Sequence, residues 1–275
     1  MAFWSSTKSS LAWVRNNDLF VTLRGSQEIR ITTDGSKNIL NGISDWVYEE
    51  EILADGKSAW LSPSGYNVAF IKYDDSLVEE YKIQYYAKFG KESYPREVAI
   101  KYPKPGTPNP IVNLFISVIH PESFYVESIQ IKFEQSILDD DRVFTQITWT
   151  SDSDVIVRVM NRVQDVQRIF IVSKANNWVP TMVRDESTPD GAWHNRRQPL
   201  YLLQGTETPH YVEAMENDEG FVHLAYFSDI SNAIPTVWLT IGSWEIDEIL
   251  GFDLIGRKIY FSSTEVDSTQ RQIYR

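Results

Sequence analysis

WLSPSGYNVAFI at 60–71 sets a tryptophan ahead of a cluster of small turn residues, and the cluster ahead of a run of strand formers. The same order returns in WSSTKSSLAWV at 4–14 and in WTSDSDVIV at 149–157. Each phrase reads as the end of one strand, a polar turn, and a new β-rich strand. Recurrence of such a phrase in an all-β chain predicts radially repeated sheets, because each four-stranded blade can bury its faces only against its neighbours. The spacing is uneven, with 56 residues between Trp4 and Trp60 but 89 between Trp60 and Trp149, so an insertion is expected in the second repeat. At roughly 50 residues per blade, the chain would hold about five blades of a β-propeller. Repetition alone leaves a pair of β-sandwiches open as the alternative.

Outward from these phrases, short apolar and polar alternations recur between Gly, Pro, Asn and Asp clusters, and long helical periodicity is missing. Leu11–Val14, the turn Asn16-Asn17-Asp18 and Leu19–Leu23 read as a hairpin. Val155–Met160 and Ile169–Ser173 repeat that arrangement, and Trp244–Arg275 supplies similar hairpin material at the other end.

Composition narrows the partners. The chain has 275 residues, 42% hydrophobic and 13% aromatic, enough for a sizeable core. Its formal net charge of -12 repels phosphate backbones, so no nucleic acid is expected, and an acidic field attracts cations such as peptide amines. Cysteine is absent, which removes disulfides, thiolate metal sites and a cysteine nucleophile. No N-x-S/T sequon occurs, and the opening MAFWSSTKSS lacks an apolar signal core. The most apolar stretch, IVNLFISVI at 111–119, is too short to span a bilayer as a helix. The chain therefore reads as soluble, with no cofactor expected.

DWVYEEEI at 45–52 interrupts the strand pattern with three consecutive carboxylates, following an Asp suited to cap a short helix. The residues by themselves allow two readings. One is a solvated charged face. The other is a pair of adjacent carboxylates holding an ammonium ion. A metal suits the segment less well, because no nearby His or calcium-type loop completes a coordination shell.

DWVYEEE at 45–51, WLSPSG at 60–65 and YPREVAIKYPKPGTPNP at 94–110 together resemble successive landmarks of the dipeptidyl peptidase IV family. GAW at 191–193, NDEGFVHLAYF at 217–227 and GSWEI at 242–246 extend the resemblance to the C-terminus. It implies that 1–275 is part of that family's N-terminal propeller, an incomplete eight-bladed ring with a short acidic helical insertion. It further implies that Glu50 and Glu51 bind the free N-terminal amine of a peptide, with Glu49 a rim or structural residue. The parent would be a serine dipeptidyl aminopeptidase releasing dipeptides with Pro or Ala in second position. Its Ser/Asp/His triad would lie in an α/β-hydrolase domain, and no G-x-S-x-G elbow occurs in this chain. Such a chain alone is expected to be inactive, and its four histidines structural. A noncatalytic interaction domain is the alternative, since some family members lack the nucleophile. Arg197 departs from the family pattern near a substrate-facing aromatic and is a candidate cavity residue. The Tyr-rich stretch between Lys72 and Pro95 corresponds to an extension that reaches a second subunit, so a homodimer is possible for the parent. The resemblance suggests a membrane-anchored or secretory/vacuolar parent.

Overall fold

The computed structural model describes residues 1–25, 27–86, 94–133, 141–188, 191–194, 198–203, 209–253 and 255–275. Strands β1 (Ala2–Trp4), β2 (Ser10–Arg15), β3 (Asp18–Leu23) and β4 (Glu28–Arg30) form a first antiparallel sheet in chain order. Asn16 and Asn17, which join β2 to β3, have φ of 53° and 62°. This is the left-handed pair that a two-residue hairpin requires and that asparagine tolerates.

The second sheet takes β5 (Ile39–Asn41), β6 (Ala59–Leu61) and β7 (Asn67–Asp74). It skips a separate ribbon of β8 (Glu80–Tyr85) and β9 (Arg96–Lys101), then adds β10 (Ile111–Ile119) and β11 (Val126–Gln130). The third sheet holds β12 (Val143–Trp149), β13 (Asp154–Met160), β14 (Gln167–Ser173) and β15 (Pro180–Asp185). A fourth comprises β16 (Tyr201–Leu203), β17 (His210–Glu216), β18 (Val222–Phe227) and β19 (Val237–Trp238). The fifth is β20 (Ile246–Asp253), β21 (Lys258–Ser263) and β22 (Gln272–Tyr274). The apolar stretch at 111–119 is thus the longest strand of the second sheet. No helix among the described residues is long and apolar enough to cross a membrane.

Period-two alternation sends the side chains of each central strand to two different interfaces. In β7, Val68 and Phe70 pack with Leu19 and Val21 of the first sheet, whereas Ala69, Ile71 and Tyr73 pack with Phe144 and Val157 of the third. In β13, Ile156 turns instead to Tyr211 and Phe227 of the fourth sheet. Val212 of β17 joins Ile249 and Phe261 of the fifth. Among the described residues, four cores therefore lie in series between five sheets. A pair of sandwiches would have two cores, each shared by two sheets only, so the serial arrangement favours the radial reading. Burial of both faces also explains the near-continuous apolar runs NVAF and DVIV, which a half-solvated sheet would not have.

The repeated tryptophan phrases bond to one another across these interfaces. Thr7 and Ser9 donate their hydroxyls to the Pro63 and Ser64 carbonyls, at 2.8 and 3.3 Å. One repeat on, the Ser64 N–H donates to Asp152 Oδ1 at 2.8 Å and Asn67 Nδ2 to the Asp152 carbonyl at 2.7 Å. Trp149 Nε1 donates to the Trp60 carbonyl at 2.8 Å. The phrase recurs because each copy satisfies polar groups of the next where two sheets meet.

Candidate functional site

The second sheet carries two separate insertions, of which the tyrosine-rich one is the insertion expected between Trp60 and Trp149. The tyrosine-rich stretch leaves between β7 and β10 as the β8–β9 ribbon, and residues 87–93 within it lie outside the described residues. The acidic stretch opens the first strand of the sheet. β5 and β6 pair with the same edge of β7, at Lys72–Asp74 and Val68–Phe70. Between them the Gly42 N–H donates to the Ile71 carbonyl at 3.0 Å, and the Ile71 N–H donates to the Ser58 carbonyl at 2.9 Å. Residues 43–57 thus leave and rejoin one strand opposite a single residue, an enlarged form of a β-bulge. An Ile43–Lys57 bridge and the bond from Ser44 N–H to the Gly56 carbonyl close the neck.

Within the loop, Trp46 and Val47 lead into a π-helical turn at Tyr48–Ile52. Asp45 caps it as the sequence predicts, its Oδ1 accepting from the Tyr48 N–H at 3.0 Å and its Oδ2 from Val47 at 3.1 Å. Tyr48 is the anchor. It is 2% exposed, its ring meets Tyr73 edge-on at 4.8 Å, and its hydroxyl accepts the Phe144 N–H of β12 at 3.0 Å. The turn is therefore tied to both the second and third sheets.

Two carboxyls lie beneath the turn in an apolar setting. Burial pushes Asp45 up to about 6 against the pull of its two N–H donors. Burial and then the charge of Asp45 push Asp75 up to about 7, with Lys101 opposing. Desolvation disfavours the charged form in both, and a neighbouring carboxylate adds to it, Glu49 at Asp45 and Asp45 at Asp75.

Glu49, Glu50 and Glu51 are exposed, on the first turn of this short helical element. The carboxylates of Glu50 and Glu51 enter no hydrogen bond or ion pair among the described residues. Nearby lies a cavity of about 830 Å³, lined by the first strands of four successive sheets, through Trp4, Trp60, Thr148 and Leu202. Leu53, Asp55 and Lys57, which follow the turn, also line it, whereas Glu50 and Glu51 are not among its lining residues. Arg197 falls outside the described residues. His223 is buried, with Nδ1 3.0 Å from Thr240 Oγ1, Nε2 2.9 Å from the Gly242 carbonyl, and Trp244 edge-on at 4.8 Å. These contacts pin the loop leading into β20, a structural role. Gly242-Ser243-Trp244 is that loop, just before the fifth sheet.

Residues 1–275 match the family described as the dipeptidyl peptidase IV (DPP IV) N-terminal region. The chain belongs to that family. Dipeptidyl aminopeptidase B of Saccharomyces cerevisiae is 37% identical over 285 residues, covering 100% of this chain and 34% of the relative. Among solved structures, the dipeptidyl peptidase 4 of Porphyromonas gingivalis superposes with a TM-score of 0.80 at 25% identity, over 100% of this chain and 37% of that one. The chain spans about a third of the length of the curated relatives it matches. Membership in the DPP IV N-terminal family agrees with the propeller-like arrangement of sheets and with the landmark phrases of the sequence.

Sequence reading misses two parts of the site's support and one buried charge cluster elsewhere in the fold. Tyr48 sits between Val47 and Glu49 in an acidic segment, and nothing local distinguishes a buried anchor from an exposed ring. Asp75 lies 30 residues from Asp45, and only the β5–β7 pairing brings their surroundings together. The cluster, Arg158–Glu213–Arg184 between the third and fourth sheets, buries all three groups. Arg158 pairs with Glu213 Oε1, and Arg184 Nη2 lies 2.6 Å from Glu213 Oε2. Its signal was present, because a charge in DVIVRVM and another in HYVEAME each interrupt an apolar strand.

Proposed function

We propose that this chain is the substrate-recognition propeller of a serine dipeptidyl aminopeptidase, with Glu50 and Glu51 holding the free N-terminal amine of the peptide. The observation that carries the reading is a pair of exposed, unpartnered carboxylates on a turn locked to two sheets, next to a cavity shared by four. An ammonium needs two or three acceptors, and charge-assisted bonds from a fixed pair select strongly for a free amine over a blocked one. Anchoring the amine at a set distance from the scissile bond makes the site a ruler, so that dipeptides are released. Pro or Ala in the second position is the preference taken from family likeness. The five sheets are consecutive blades of an eight-bladed ring, and a hydrolase domain of the parent supplies the triad. The β8–β9 ribbon, exposed at every position of β8, serves a homodimer of the parent.

The test is a steady-state comparison on the full-length protein with a Gly-Pro chromogenic substrate. Each of Glu50→Gln and Glu51→Gln is expected to lower kcat/KM on the order of tenfold or more, the range of a lost charge-assisted hydrogen bond. N-acetylated substrate should be poor for every variant. Unchanged kcat/KM in both variants would sink the amine-site reading. The isolated chain should show background turnover only, and real turnover from it would overturn the assignment.

A further inference from the structure

Tyr48 and Asp45 hold the acidic turn from the core side, but the turn has a second support, on the ribbon. Trp46, half-buried, meets the ring of Tyr102 at 4.3 Å and an interplanar angle of 55°. Tyr102 directly follows β9, and its ring lies 5.8 Å from that of Tyr81 in β8. Lys104 Nζ stands 5.1 Å from the Tyr81 ring centroid. The foot of the ribbon is itself fixed. The Tyr102 N–H donates to the Glu79 carbonyl at 3.0 Å, Lys101 Nζ to the Val78 carbonyl at 2.8 Å, and Lys37 pairs with Glu80 at 2.6 Å.

We propose that Tyr102 is a positioning residue for the carboxylates of the acidic turn, acting through Trp46. The proposal rests on the reading of Glu50 and Glu51 as the amine site. Trp46 precedes Glu50 by four residues, and residues so spaced on a helical turn are neighbours on one face. A rotation of the turn that carries Trp46 away from Tyr102 therefore carries Glu50 with it. On its buried side Tyr48 blocks translation of the turn, and Val47, Ile52 and Leu53 pack against the same core. The stack adds a contact on the ribbon side that a rotation of the turn would break. Recognition by two carboxylates depends on such restraint, since a binding group displaced by more than about 0.5 Å loses its productive geometry. Tyr81 extends the same stack to the start of β8, so the foot of the ribbon and the acidic turn share one chain of aromatic contacts.

The experiment compares Tyr102→Leu, Tyr102→Phe and Tyr81→Leu in the full-length protein, with Glu50→Gln as reference. Tyr102→Leu should raise KM for the free-amine substrate roughly three- to tenfold, in line with loss of one aromatic pair, with kcat within about twofold of the parent. Tyr102→Phe keeps the ring and should behave as the parent. Tyr81→Leu removes a half-exposed ring and should give a smaller rise in KM, which keeps the test available if Tyr102→Leu fails to fold. Hydrogen exchange of the amides at 46–53 should speed up in both Leu variants and not in Tyr102→Phe. A rise in KM for Glu50→Gln without any for the Leu variants overturns the positioning role. So does unchanged exchange at 46–53, or a Tyr102→Phe variant as impaired as Tyr102→Leu. If Glu50→Gln and Glu51→Gln are both unaffected, the amine reading falls instead, and exchange at 46–53 then still decides the brace.

Discussion

Replacing Tyr48 by Phe removes one oxygen atom and should loosen the acidic turn. The ring would keep its edge-on packing against Tyr73 at 4.8 Å, so no cavity opens and the hydrophobic contribution is preserved. What is lost is the acceptor for the Phe144 N–H, now bonded at 3.0 Å in surroundings where Tyr48 is 2% and Phe144 0% exposed. A buried donor left unpaired costs about 1–3 kcal/mol. For a chain of this size that corresponds to a fall in Tm of roughly 2–5 °C. Thermal unfolding followed by circular dichroism would measure the global effect. Hydrogen exchange would locate it, with the Phe144 amide accelerated on the order of tenfold or more and the amides of 46–53 accelerated with it. A Tm within error of the parent and unchanged exchange at Phe144 would refute the view that Tyr48 ties the turn to β12.

Asp75→Asn tests the buried carboxyl pair. With Asp45 raised to about 6 and Asp75 to about 7, the folded chain binds more protons than the unfolded one between about pH 4 and pH 7. The pair's contribution to stability is thus full below about pH 4 and is lost as pH rises through 6 to 7. Asp75→Asn should stabilise the chain by about 2 kcal/mol at pH 8, roughly half of what the full shift would give because the charge cost is shared with Asp45, and by almost nothing at about pH 3.5. A stabilisation that instead grows toward acid pH would contradict the sign. Glu213→Leu should destabilise by about 3–5 kcal/mol in urea unfolding, because it strands the buried Arg158 guanidinium and leaves Arg184 with Glu186 at 3.4 Å. A cost below about 1 kcal/mol would mean that Arg158 finds another partner.

How far the sequence could be read depended on the range of the interactions involved. The Asn16-Asn17 turn and the Asp45 cap were legible because a side chain there acts on backbone within three residues of itself. The tryptophan phrases were legible because a repeated interface demands a repeated solution, and the Thr7, Ser64 and Asp152 bonds are that solution. The acidic segment was legible as composition, and as a candidate amine site only through family likeness. Its attachment was hidden. Tyr48 meets Phe144 across 96 positions of chain, and Trp46 meets Tyr102 across a connection that no local periodicity signals.

By itself, the sequence determined an all-β chain of repeated sheets, the place of the hairpins, and the position of three consecutive carboxylates after a capping aspartate. Those properties follow from backbone geometry and period-two patterning, which act over a few residues. Tertiary structure alone decided that residues 43–57 erupt from one strand opposite a single residue of β7. It alone also decided that the resulting loop is clamped between a buried tyrosine and an aromatic stack on the ribbon. Both depend on which distant strands become neighbours, and that is settled by how apolar faces are shared between successive sheets.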